Sequence, residues 1–340
     1  MTISNTTISP KTLASCLVEC IKANIPAMAW GKPGIGKSDV VRQVAASLGY
    51  GLIDFRATLR DPVDLRGLPL VDAKTGTTRW LAPNELPNAD RDGDKGILFL
   101  DELPNAPPLM QASCFGLVLD RQLGEYRLPE GWVPIAAGNR MADRSASQRM
   151  PSALKNRFAH FEVQADIDSW SDWANKAELN PLIIAFVRYR AELLHKMPEG
   201  DDNAFPTPRA WQSVSRCFDK SMAMHLRFSL VTGLVGPGPA AELEAFITSW
   251  TRLPPIQQII DNPKSAMVPN MDEPGLMYAV SSAIARKATR ETFGNVLTYA
   301  ARLPKEFEIL TAVDAVRRDP LLTKSSAFVQ WAVRNQSVVV

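Results

Sequence analysis

The sequence predicts an α/β fold in which helices cover both faces of a parallel sheet, followed by a purely helical region. Three observations predict it. Short apolar runs bounded by polar or turn residues recur along the first 165 residues, with helical stretches between them. Those runs are apolar continuously and not at every second position, as in strands buried on both sides. Beyond about residue 165 the strand pattern vanishes and only helix-like segments remain. A chain of 340 residues suits two domains, or one with a large appendage.

Each element has a local reason. Ser9 and Pro10 read as a helix N-cap followed by proline at the first helical position. Leu13, Cys16, Leu17, Cys20 and Ile21 then recur at helical spacing, which assigns both cysteines to the core face. A strand is expected at 25–30, then a glycine loop, then a helix with Val40, Val41, Val44 and Leu48 on one face and Gly49 as its stop. Further strands are expected at 51–55, 96–100, 133–137 and 160–163, and helices at 110–119 and 151–156. Two segments break the rhythm. "GLPLVDAKTGTTRWLAP" (67–83) has two extended runs around Lys74-Thr75-Gly76, and "RQLGEYRLPEGW" (121–132) turns at Gly124-Glu125; both read as projecting hairpins. Past residue 165, "PLIIAFVRYRAELLHKM", "PRAWQSVSRCFDKSM", "AAELEAFITSW" and "AFVQWAVRNQ" are helix-like, jointed at "MPEGDDNAFPTP" and "VGPGP".

Composition narrows the function. Lysine plus arginine (38) nearly balances aspartate plus glutamate (36), so the chain is no polycation, and duplex nucleic acid is neither indicated nor excluded as a main partner. The four cysteines show no CxxC spacing and there are three histidines, so free thiols in a reducing cytosol are expected and a zinc site is not. The N-terminus lacks a basic-then-apolar signal pattern and no window has bilayer-spanning length, which reads as a soluble cytoplasmic protein with no membrane partner. His160, His195 and His225 fit no metal or triad pattern.

The chemistry begins at Gly31-Lys32-Pro33-Gly34-Ile35-Gly36-Lys37-Ser38, a G-x-x-x-x-G-K-S match between an expected strand and an expected helix. Glycines let backbone N–H groups curl around a phosphate, and the helix N-terminus adds partial positive charge. Lys37 is placed to reach β- and γ-phosphates, and the Ser38 hydroxyl to ligate magnesium. "GILFLDELPNAPP" then delivers Asp101 and Glu102 at the C-terminal end of a buried strand, where parallel sheets bind ligands. Asp101 would hold magnesium through its water shell, and Glu102 would polarise the attacking water. "VPIAAGNR" ends another strand at Asn139, whose amide can hold a water or a phosphate oxygen without adding charge. Arg157 lies between a helix and the last strand, as a structural ion pair or as a finger for a neighbouring subunit. Arg209 occupies the first turn of a helix, where a cation opposes the dipole and calls for a negative partner, either a γ-phosphate or a carboxylate. Trp211, Val214 and Phe218 on that helix are at core spacing. Arg140, Arg144 and Arg149 read either as interface residues or as solvated ones.

The order of these parts resembles the AAA+ ATPases, and within them the MoxR branch of MoxR-type and midasin-like ATP-binding proteins. The motifs span about residues 10–240. The resemblance implies residues 1–165 as a P-loop ATPase core, 166–250 as a helical lid and 251–340 as a helical extension longer than the simplest lids. It implies ATP and Mg2+ as ligands. Nucleotide contacts would come from Gly31, Lys32, Pro33, Gly34, Ile35, Gly36, Lys37, Ser38 and Asp39, and metal contacts from Ser38 and Asp101. Lys37, Glu102, Asn139 (sensor 1), Arg157 (trans-acting finger) and Arg209 (sensor 2) would carry catalysis, with Arg149 competing for the finger role. Arg56 and Thr58 lie near the strand end that would couple ligand state to Glu102. The segment 66–80 resembles the family's second-helix insert and 123–128 its pre-sensor-1 hairpin. Relatives form rings, usually hexamers, often working with a protein carrying a von Willebrand factor A domain, and remodel a protein target. A nucleic-acid motor or loader on the same core is the alternative, which the modest basicity of the hairpins (Lys74, Arg79, Arg121, Arg127) disfavours. A slowly hydrolysing nucleotide-gated scaffold is a third possibility.

Overall fold

A computed structural model describes residues 7–59, 65, 67–140, 150–198, 200, 202–253 and 255–336. The chain divides into two units, Met1–Ala165 and Asp166–Val340.

The first unit opens with helix α1 (Pro10–Lys22), whose Ser9 side chain accepts from the Thr12 backbone N–H as the N-cap. Strand β1 (Ala27–Trp30) leads into the glycine loop and α2 (Lys37–Leu48), which Gly49 ends in the left-handed conformation. There follow β2 (Gly51–Arg56), the hairpin β3 (Leu68–Asp72) and β4 (Thr77–Leu81), the short α3 (Ala89–Asp92), β5 (Lys95–Asp101) and α4 (Pro108–Leu119). The second hairpin is β6 (Gln122–Leu123) with β7 (Tyr126–Arg127), then come β8 (Gly131–Gly138), α5 (Ser152–Lys155) and β9 (Ala159–Glu162).

Five strands form one sheet in the order β2-β5-β8-β1-β9, every pair parallel. Alternate residues of each strand feed opposite cores. Met28, Leu98, Leu100 and Ala136 join α4 residues Met110, Cys114 and Leu117 on one face. Ala27, Ala29, Ile97, Phe99, Ile135 and Ala137 meet Leu13, Leu17, Val40, Val41 and Val44 of α1 and α2 on the other. Burial on both sides is why these strands read as unbroken apolar runs.

The second unit is helical among its described residues: α6 (Ile167–Lys176), α7 (Pro181–Tyr189), α8 (Pro208–Cys217), α9 (Met224–Val235), α10 (Pro237–Trp250), α11 (Ile256–Asp261), α12 (Pro274–Lys287), α13 (Phe293–Ala300), α14 (Lys305–Arg318) and α15 (Ser326–Arg334). Two ion pairs, the first of them buried, tie its early helices to its late ones. Arg188 on α7 bonds Asp314 on α14, and Arg317 pairs with Asp172 at 2.8 Å. A parallel sheet flanked by helices, followed by a second unit that is helical among its described residues, is the fold class expected from the sequence. No helix among the described residues is long and apolar enough to cross a membrane.

The structure corrects several local expectations. Cys16 and Cys20 are half-buried: the buried stripe of α1 runs through Leu13, Leu17 and Ile21, with Cys20 packed against that core from its margin. Leu48 and Phe218 are also half-buried, each at or beyond a helix end. The helix expected through "PLIIAFVRYRAELLHKM" stops at Tyr189, and Arg190 leaves helical geometry with ψ 65° before a short 3-10 turn at Ala191–Leu193. Arg121 is not a free hairpin cation. Its guanidinium donates to the carbonyls of Pro129 (2.6 Å), Glu130 (3.2 Å) and Trp132 (2.8 Å), so it staples the hairpin base, and desolvation lowers its pKa.

Candidate nucleotide site

The site assembles at the C-terminal edge of the sheet, where β1, β5 and β8 end side by side. Neighbouring parallel strands end at one edge, so residues far apart in sequence meet there. The loop after β1 turns through Gly34 (φ 77°) and Gly36 (φ 97°), left-handed conformations that L side chains rarely adopt. Gly36 is the N-cap of α2 and no side chain caps that helix, which leaves its amide end facing the loop.

Lys37 is nearly buried, and its ammonium donates to the carbonyls of Gly31 (2.6 Å) and Lys32 (3.0 Å) and to Asn139 Oδ1 (2.8 Å). Ser38 donates its hydroxyl to Asp101 Oδ2 at 2.9 Å. The other carboxylate oxygen, Asp101 Oδ1, accepts from the Glu102 backbone N–H at 3.0 Å. Asp101 therefore links the helix after the glycine loop to the turn that carries Glu102. Glu102 itself is exposed and has φ 54° and ψ 29°, a left-handed conformation costly for a non-glycine residue and characteristic of functional sites. Its carbonyl accepts from Asn105 N–H at 2.8 Å, opening the 3-10 turn Leu103–Asn105.

One further residue shapes the site and is invisible to motif reading. Gly138, the last residue of β8 before Asn139, packs on the Pro104 ring of that turn; an added Cβ would lie 2.4 Å from Pro104 Cγ. Its carbonyl also accepts the Gly31 N–H at 3.2 Å. Gly138 thus sets the spacing between the loop bearing Asn139 and the turn bearing Glu102. The "AAGN" string gave no sign of this, since the partner lies 34 positions earlier in the sequence.

The structure joins Lys37 to Gly31, Lys32 and Asn139, and joins its neighbour Ser38 to Asp101, which in turn holds the Glu102 backbone N–H. No side-chain hydrogen bond joins the other candidates to these residues among the described residues. The Ile35 side chain is buried in the apolar core under α2. Asp39 is exposed and paired with Arg42 at 3.1 Å, and Arg42 also bonds Asp54 of β2 at 3.0 Å. Arg56 is exposed, 4.0 Å from Asp54, and Thr58 is half-buried. Arg157 follows α5 on the surface, with no side-chain partner among the described residues. Arg209 is exposed in the first turn of α8 in the second unit, also without a carboxylate partner among the described residues. Arg140 pairs with Glu162 at the end of β9. Arg66, Arg144 and Arg149 lie outside the described residues.

His160, which fits no motif, has a defined structural place. Its Nδ1 accepts the Trp30 indole N–H at 2.8 Å, so Nε2 carries the proton and donates to the Lys155 carbonyl at 2.7 Å. It joins the residue before the glycine loop to the segment before Arg157.

No protein-family profile matches the sequence, and no curated protein does. Among solved structures, a Cytophaga hutchinsonii protein proposed to be an ATPase aligns at 13% identity with a TM-score of 0.37, covering 99% of this chain and 91% of that one. NtrX from Brucella abortus aligns at 15% identity and a TM-score of 0.35, covering 98% and 68%. Its complex with ADP gives 16% and 0.40, covering 97% and 68%.

Proposed function

We propose that the chain is an ATP-hydrolysing AAA+ protein of the MoxR type, which assembles as a ring and couples ATP turnover to remodelling or activation of a partner protein. One observation carries this reading. The adjacent residues Lys37 and Ser38, in the first turn of the helix after the glycine loop, bond Asn139 and Asp101 from the ends of two different strands. A glycine turn with a structural role would not require a nearly buried ammonium there.

The residues fit a magnesium-bound triphosphate. Ser38 and Asp101 supply two hard oxygens 2.9 Å apart, and Mg2+ favours one or two protein oxygens together with phosphates and water. Bound there, the ion would neutralise charge on the β- and γ-phosphate oxygens. Lys37 exchanges its carbonyl and amide acceptors for phosphate oxygens, and the uncapped end of α2 directs its N–H groups to the same charge. Glu102 takes a proton from the attacking water as its oxygen bonds the γ-phosphorus. The bond to the β–γ bridging oxygen breaks, and ADP departs with that electron pair. Asn139 orients the water or a γ-oxygen, while Arg157 of an adjoining subunit and Arg209 stabilise the spreading negative charge.

A protein client suits the hairpin β3–β4, which exposes Leu68, Leu70, Val71 and Leu81, side chains matched to polypeptide and not to a phosphate backbone. Its Trp80 N–H donates to Glu125 Oε2 at 3.1 Å, so the two hairpins are joined. A von Willebrand factor A domain protein is the partner this reading implies.

Glu102→Gln tests the assignment. ATP turnover is expected to fall about 10²–10⁴-fold while ATP still binds. Unchanged phosphate release would remove Glu102 from the mechanism. Partners retained by the ATP-locked variant and released by ADP identify the client.

A further inference from the structure

The second unit holds a cavity of about 360 Å³ lined by Pro181, Ile256, Ala283, Arg286, Lys287 and Arg318. Its floor is apolar and its rim carries three cations with no carboxylate among the lining residues. Arg286 donates one N–H to the Leu179 carbonyl at 3.0 Å, which fixes its guanidinium and leaves its other donors available. Lys287 and Arg318 are exposed, and none of the three has a carboxylate partner among the described residues. Arg317, the next residue along α14, does pair with Asp172 at 2.8 Å.

Cations in the last turn of a helix complement its dipole, and that accounts singly for Arg286 and Lys287 on α12 and for Arg318 on α14. It does not account for their convergence on one concavity. Three like charges around a low-polarity wall repel one another and raise the local potential, which an anionic ligand would relieve. The floor selects further. Pro181, Ile256 and Ala283 offer an apolar seat, and the lining has no aromatic ring on which a nucleic-acid base could stack.

We propose that this cavity docks a short acidic segment of a partner protein, with carboxylates on the Arg286, Lys287 and Arg318 rim and an apolar side chain on the Pro181–Ile256–Ala283 floor. The inference stands on the second unit alone and is independent of the nucleotide site, so either can fail without the other.

The test is fluorescence anisotropy on the full chain with a labelled eight-residue peptide alternating Glu and Leu. The controls are the same peptide with Gln in place of Glu, and an eight-nucleotide oligothymidylate. The Glu-Leu peptide is expected to bind saturably, more weakly as salt rises, and the Gln-Leu peptide not to bind. The double variant Lys287→Gln with Arg318→Gln removes two exposed charges that hold no structural bond. It is expected to weaken binding about tenfold with unchanged circular dichroism and ATP turnover. No saturable binding up to millimolar peptide, equal binding by the double variant, or equal binding of the Gln-Leu peptide would each overturn the proposal. Oligothymidylate binding that the double variant abolishes would assign the cavity to phosphates and overturn it too.

Discussion

Gly138→Ala isolates the packing that holds the candidate catalytic turn in place. The new Cβ would lie 2.4 Å from Cγ and 2.5 Å from Cδ of Pro104, and 3.0 Å from Cε of Met28. Unstrained carbon contacts lie near 3.5–4.0 Å, so the proline ring must retreat by roughly 1 Å. The methionine tip can swing aside, but the pyrrolidine ring is bonded to its own backbone nitrogen and moves only with the chain. Pro104 is buried in the turn that starts directly after Glu102, so the displacement reaches the left-handed Glu102 backbone. Overpacking of this kind costs about 1–3 kcal/mol, and a misplacement near 1 Å can cost about 10²-fold in rate. The variant is expected to melt several degrees lower and to release phosphate about 10–100-fold more slowly, with ATP affinity changed far less. Circular dichroism, phosphate release and nucleotide titration read the three quantities. Pro104→Ala in the same chain removes Cγ and Cδ and should restore part of both stability and turnover, a coupling that a double-mutant cycle measures. If Gly138→Ala melts and turns over as the parent does, or if Pro104→Ala brings no relief, Gly138 does not set this spacing.

Three other outcomes follow from the same geometry. Arg157→Ala should cripple turnover with ATP affinity nearly intact, and mixing it with Lys37→Ala subunits should restore some activity at hybrid interfaces; mixtures without rescue, together with a monomer in ATP by sedimentation, exclude a shared site. Arg227 and Glu244 form a nearly buried two-point pair (2.7 and 2.6 Å) within the second unit. Arg227→Met should therefore destabilise that unit by about 3–5 kcal/mol in urea, and Glu244→Leu added to it should recover much of the loss; a single variant as stable as the parent contradicts this. Burial pushes the Cys114 thiol up to about 12, leaving about one molecule in 10⁴ as thiolate at pH 8. An aromatic disulfide reagent should titrate exposed Cys217 first and Cys114 only after unfolding, and four fast thiols in native protein would contradict the burial. Since the folded pKa lies above the ordinary thiol value of 9.0, this group's contribution is fully present below about pH 9 and is lost as pH rises toward 12.

The sequence by itself determined the parallel sheet, the two hairpins, the boundary near 165 and the order of the chemistry-bearing residues. Each of these rests on local information. Strands buried on both faces must be apolar throughout, glycines mark left-handed positions, and a strand-loop-helix junction declares its own glycine loop. Tertiary structure decided which groups touch. That Asp101 divides its two oxygens between Ser38 and Glu102, that Lys37 shares Asn139, and that His160 joins Trp30 to Lys155 depend on the sheet order β2-β5-β8-β1-β9. Side-chain exposure at the margins was decided there as well, which is why Cys16 and Cys20 share the spacing of Leu13 and Leu17 yet are half-buried. Periodicity states which face of an element is apolar, but only the neighbouring elements determine how wide a stripe of that face they cover. Contacts between residues dozens to more than a hundred positions apart leave no pattern in a single chain, because the hydrogen bond they make constrains their separation in space and not in sequence.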